Sequence, residues 1–122
     1  MEKGTRRKVW IRENSWLARI AARRLGYASI AMVVGHTIHL HQTSIARFLA
    51  RPSWVRHELM HVAQYERLGF FGFLWKYLLL SRKYGYYENP LEVEARAAEQ
   101  DDTLLARYDL SAYQYPEKDH AS

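Results

Sequence analysis

With 122 residues, 48% of them hydrophobic, the chain has material for one domain with a modest core, and no repeat, domain linker or long low-complexity tract interrupts it. It contains no cysteine, which excludes disulfides and thiolate zinc sites and suits a reducing compartment. The net charge is +5, and the cations crowd early: Lys3, Arg6, Arg7, Lys8, Arg12, Arg19, Arg23 and Arg24 all precede Gly26.

The opening residues lack the apolar stretch of a secretory signal, and no run reaches the ~18 apolar residues that suggest a membrane span. A cytoplasmic location is therefore expected. Residues 1–26 read as a basic N-terminal helical segment, with Asn14 or Ser15 as N-cap and Gly26 as stop. Trp16, Leu17, Ile20, Ala21 and Arg24 outline its core stripe, with cations opposite. A basic face of this kind can meet nucleic acid, anionic lipid or an acidic partner, though a solvated helix face is the commoner explanation. With no aromatic-interleaved basic motif and no zinc ribbon, a function directed to nucleic acid is the weakest of the functional readings. The core is expected over about 27–108, with a loosely packed tail at 109–122 that includes Pro116.

Next come an apolar run, Ser29 to Val34, and an alternating one, His36 to His41, flanking Gly35. Together they predict two short strands, as a hairpin. His36, His39 and His41 raise the idea of a second metal site, but alternating histidines equally suit an ordinary strand face, which is the expectation here.

The segment from Trp54 to Leu68 predicts a helix, with Pro52-Ser53 at its start and Gly69 at its stop. It carries His57-Glu58-Leu59-Met60-His61. At ~100° and ~1.5 Å per residue, positions four apart lie one turn apart on nearly the same face, so both imidazoles can reach one ion. Two neutral imidazoles suit Zn²⁺, a carboxylate from elsewhere can complete a three-ligand set, and a fourth position stays open for water. Zinc lowers the pKa of that water towards ~7, and a nearby glutamate outside the ligand set, Glu58, can take its proton. The bland alternative is a helix that carries two histidines and a glutamate for no metal-related reason. The helical setting favours the metal.

Phe70 to Leu80 is the most apolar stretch, too short to span a bilayer. Phe71, Leu74, Leu78 and Phe70, Phe73, Tyr77 form adjoining rows, predicting a helix buried on more than one side. Any part left uncovered would be a protein-partner or membrane-interface patch. Ser81 to Asn89 reads as a loop, in which Tyr84, Tyr86 or Tyr87 could stabilise an oxyanion. A second motif helix follows from Glu88 to Glu99, with Pro90 at its first turn. On a helical wheel Glu94 falls within the arc of Leu91, Val93, Ala97, Ala98 and Leu105, while Glu92 lies at its edge. Residues two apart point ~200° from each other, so only one can join the histidines.

HELMH followed by NPLEVEARAAE resembles the small bacterial zincin-like metallopeptidase domains of the gluzincin type, over about Gly35 to Leu105. The resemblance implies a compact α+β zincin-like domain, mainly helical, with a small β-sheet or hairpin before the HExxH helix. It also implies that the third ligand is a glutamate on the later helix. Carried over by the E-x-x-A pattern, that residue is Glu92, giving a zinc site of His57, His61 and Glu92 with Glu58 as the catalytic base. The family position four after the ligand is commonly Asp, which orients a ligand histidine; here it is Arg96, so that support must come from elsewhere. In such families a strand before the metal helix borders the cleft, where substrate backbone can add as another strand. The expected activity is zinc-dependent peptide hydrolysis, with a peptide or protein as substrate. The alternative is a non-catalytic zinc-bound scaffold that binds a protein through the apolar 70–80 segment.

Overall fold

The computed structural model describes residues 7–110, which form an α+β fold dominated by helices around a small mixed sheet. Strand β1 (Arg7–Lys8) runs parallel to β5 (Tyr108–Asp109). After Val9 the chain continues as β2 (Trp10–Arg12), which runs parallel to β4 (Thr37–His41); β4 pairs antiparallel with β3 (Ile30–Val34). The order β2-β4-β3 leaves β3 at an edge. The hairpin forms as expected, through Gly35 and His36. Gly35 has φ +65°, matching the glycine-first pattern of a type II′ two-residue turn.

The basic N-terminal segment differs from the expected helix. Its first described part is strand because Val9 and Ile11 alternate with polar or half-buried residues and are fully buried in the core. Helix α1 (Trp16–Leu25) begins only after it. Ser15 caps it by accepting from the Ala18 amide, and Gly26 closes it at φ +79°. Its buried face is Ala18 and Ala22 rather than the Trp16–Leu17–Ile20–Ala21 stripe. Two alanines on one face let the helix lie close to the sheet, and that close approach leaves Trp16 and Ile20 in solvent.

A short helix, α2 (Ile45–Leu49), leads into the central α3 (Pro52–Leu68), which buries Val55, Leu59 and Val62 among Ile11, Ile38, Leu40 and Phe48. Hydrophobic positions at i, i+4 and i+7 fix this face, so His57, Glu58 and His61 fall on another side of the helix. Gly69, at φ +83°, ends α3 and starts α4 (Phe70–Tyr84), a sharp corner that a side-chain-bearing residue adopts only with strain. Helix α4 runs four residues beyond the expected Leu80. Contrary to the expectation of burial on more than one side, only Phe73 of α4 is buried, since its neighbours cover one stripe and leave the rest open.

Helix α5 (Pro90–Ala97) is capped by Asn89, continues as a 3-10 turn (Ala98–Gln100), and is followed by α6 (Leu104–Arg107). Asn89 is wholly buried: its Oδ1 accepts from the Leu91 amide at 2.9 Å, and its Nδ2 donates to Ser81 Oγ at 2.8 Å and the Tyr77 carbonyl at 3.2 Å. It thereby locks α4 to the start of α5. Of the expected tail, Asp109 belongs to β5 and residues 111–122, with Pro116, lie outside the described residues.

Candidate metal centre

Helix α3 presents His57, Glu58 and His61 to the first turn of α5, where Glu92 sits. The imidazoles stack edge-to-face with centroids 5.2 Å apart. His57 Nε2 lies 3.1 Å from Glu92 Oε1 and His61 Nε2 lies 3.3 Å from Glu92 Oε2. Among the described residues these three form the one group of His, Asp or Glu able to offer three ligand atoms to a single ion, all within 4.8 Å of one another. Tetrahedral zinc bonds of ~2.0–2.1 Å separate neighbouring ligand atoms by ~3.3 Å, so the donor set fits Zn²⁺ with small side-chain adjustments.

Each imidazole is held from behind. His57 Nδ1 is 2.8 Å from Glu99 Oε2, and His61 Nδ1 is 2.8 Å from Gln64 Oε1. Acceptors at both Nδ1 atoms place a proton there and aim both Nε2 atoms at the common point. Gln64, fully buried, donates to the Leu91 carbonyl at 3.0 Å and to Glu94 Oε1 at 2.7 Å. Arg56 donates to the Glu99 carbonyl at 2.8 Å, tying the 3-10 turn to α3. The Tyr77 hydroxyl, from α4, donates to Glu92 Oε2. Neither Glu99, Gln64 nor Tyr77 stood out in the sequence, yet Gln64 lies one turn after His61 on α3, the spacing at which helical side chains share a face.

Glu94 takes no part in the triad. It pairs with Arg67 at 3.0 Å and with Gln64. The wheel argument for it fails because α5 buries Leu91, Glu92, Ala95 and then Ala98, while Val93 is exposed and the change to a 3-10 turn takes Leu105 off the same wheel. Arg96 donates to the Tyr87 carbonyl at 2.6 Å and stacks on the Tyr87 ring. The histidine support that an aspartate at this position would give comes instead from Glu99, one turn later.

Electrostatics of the cluster follow from burial of opposite charges. Burial pulls the His57 pKa down, but hydrogen bonding to Glu92, the Glu58 charge and Glu99 overcome it and raise it to about 9. His61 is also raised: burial opposes the shift, and Glu92 and Glu58 prevail. Burial pushes Glu92 up, yet His57, His61 and Tyr77 drive it far below the usual carboxylate range. Its place in the first turn of α5 adds the favourable end of the helix dipole. Glu58 goes the other way. Its burial outweighs the pull of His61 and His57, and its pKa rises to about 7.

Above the triad opens a cleft of about 470 Å³. Edge strand β3 forms one wall, Ala21 and Leu25 of α1 extend it, and Leu74, Tyr77, Leu78 and Ser81 of α4 form the other; His57, Glu58, His61 and Glu92 lie in the lining. Of Tyr84, Tyr86 and Tyr87 only Tyr86 reaches this lining; Tyr84, which ends α4 rather than lying in a loop, and Tyr87 are exposed. Burial, reinforced by Glu92 and Glu58, holds the Tyr86 phenol above its usual range, so it stays a proton-bearing donor.

The strand histidines have separate partners. His39 Nδ1 meets Ser15 Oγ at 2.8 Å, and His36 Nε2 meets Glu66 Oε2 at 2.8 Å. They do not converge. No helix among the described residues is long and apolar enough to cross a membrane. Compared with known proteins, the chain matches no family model, no curated protein sequence and no solved structure.

Proposed function

We propose that the protein is a zinc-dependent metallopeptidase of zincin type, acting on peptide or protein substrates in the cytoplasm. The observation that carries this reading is the convergence of His57 Nε2, His61 Nε2 and the Glu92 carboxylate beside buried Glu58, in the lining of an open cleft. His57, His61 and Glu92 would hold Zn²⁺, which when bound supplies a Lewis acid and makes water acidic enough to deprotonate near neutral pH. Glu58, buried on α3 beside the two histidines and in the cleft lining, is placed to take a proton from water as the water oxygen attacks the peptide carbonyl carbon. As the C–N bond breaks, Glu58 returns that proton to the leaving nitrogen. Tyr86 donates a hydrogen bond to the carbonyl oxygen as charge develops on it. The edge of β3, which no other described strand pairs with, gives an extended substrate backbone a strand to pair with, and the apolar walls accept its side chains.

Digestion of a peptide library by wild type and Glu58→Gln, at matched zinc content, tests this. Glutamine keeps the shape and removes the base, so the variant should lose ~10²–10⁴ in rate. Equal cleavage by both would remove Glu58 from the mechanism. No cleavage by wild type across broad libraries would favour the non-catalytic zinc-bound scaffold.

A further inference from the structure

Among the described residues, helix α4 leaves much of its apolar surface exposed. Taking ~100° per residue, Phe73 and Tyr77 face α3, Leu74 and Leu78 turn to the cleft, and the apolar arc then continues through Phe71 and Trp75 to Leu79. Phe71 is 79% exposed, Trp75 66% and Leu78 64%. Across the cleft, α1 exposes Trp16 at 63%, together with Ile20 and Leu25. Leu25 and Leu78 belong both to the cleft lining and to these outer faces, so the two apolar surfaces meet at its rim.

The charge on these helices selects what covers them. Neither α1 nor α4 contains an acidic residue, and between them they carry Arg19, Arg23, Arg24, Lys76, Arg82 and Lys83. All six are exposed, and none forms an ion pair among the described residues. A second copy of this chain would bring six cations against six, which disfavours self-association through this face. Tryptophan, phenylalanine and leucine bordered by lysine and arginine, without acids, suit an interface that is apolar beneath and negative at its surface.

We propose that α1 and α4 dock the protein on a membrane surface containing anionic lipid, with the rim of the cleft against the headgroups. Trp16, Phe71 and Trp75 enter the acyl boundary and the six cations meet lipid phosphates. No helix among the described residues is long and apolar enough to cross the bilayer, so the contact is with its surface. The proposal is independent of the chemistry at His57 and His61.

Sedimentation of the full chain with vesicles tests it, using phosphatidylcholine alone and phosphatidylcholine mixed with phosphatidylglycerol. The wild type should bind the mixed vesicles with a blue shift in tryptophan emission, bind neutral vesicles far less, and be released by salt. The double variant Phe71→Ser/Trp75→Ser should bind at least ~10-fold more weakly, since buried apolar area sets part of the affinity. Arg82→Glu/Lys83→Glu, which leaves every apolar side chain in place, should lose about fivefold or more per cation removed. Circular dichroism on both variants checks the fold, and either variant alone suffices. Absence of binding to mixed vesicles at low salt overturns the proposal, as does equal binding to both vesicle types or unchanged binding by both folded variants. A dimer that Phe71→Ser/Trp75→Ser converts to monomer, without lipid binding by the wild type, would assign the face to a second copy instead.

Discussion

The two ring nitrogens of His57 and of His61 have different tasks, and that division sets the residue-scale predictions. Nε2 of each faces Glu92, while Nδ1 is anchored by Glu99 or Gln64. Removing a direct anionic ligand should cost more than removing an anchor. Glu92→Gln is expected to weaken zinc binding by ~10² or more and Glu99→Ala by ~10–10². Glu94→Gln, which touches Arg67 and Gln64 but no proposed ligand atom, should weaken it less than tenfold. Competition with a chromophoric chelator ranks the three, and a larger loss in Glu94→Gln than in Glu92→Gln would contradict the assignment. The motif itself was legible in the sequence because the i, i+4 spacing is a property of any helix. Glu99, Gln64 and Tyr77 were not, because their role depends on how α3, α4 and α5 are rotated against one another, which local periodicity does not encode.

Among the elements, the junction of α4 and α5 matters most for the site, because Asn89 joins them three residues before Glu92. Asn89→Ala removes a helix cap, worth ~0.5–2 kcal/mol, and leaves buried groups without partners at ~1–3 kcal/mol each. A loss of about 3 kcal/mol in a denaturant titration is expected, accompanied by weaker zinc binding as Glu92 loosens. A neutral effect on both would show that the junction does not position the ligand. The hairpin, the motif helix and the start of α5 could be read in advance from Gly35, Pro52, Gly69 and Pro90, each of which has a local stereochemical reason to sit where it does. The buried faces of α1 and α4 could not. Large apolar residues ordinarily mark a core, and here Trp16, Ile20, Phe71 and Trp75 mark the outside instead.

For the whole molecule, protons and zinc compete for one buried cluster, so stability depends on pH with opposite sign in the two states. In the metal-free chain His57 has its pKa raised to about 9 from 6.5. That contribution is complete below ~6.5 and is lost as pH rises through about 9. Glu58, raised to about 7 from 4.5, acts in the same direction, since its neutral form is favoured and that advantage is lost as pH passes 7. Glu92 is depressed, and its contribution is lost only in acid. Metal-free stability should therefore fall from pH 6 to 8. Zinc requires neutral imidazoles, so the rise in Tm on adding zinc should grow over the same range. Melts with zinc and with chelator at pH 6, 7 and 8 check this, and a zinc-induced shift independent of pH would exclude the histidine pair as ligands.

The central claim is that one zinc ion sits between His57, His61 and Glu92, and elemental analysis after equilibrium dialysis measures it most directly. Wild type should retain about one Zn²⁺ per chain, while His57→Ala and His61→Ala, each confirmed folded by circular dichroism, should retain less than about a tenth of that, since losing one imidazole of three ligands breaks the chelate. Full zinc occupancy in both variants, or none in the wild type, would contradict the account.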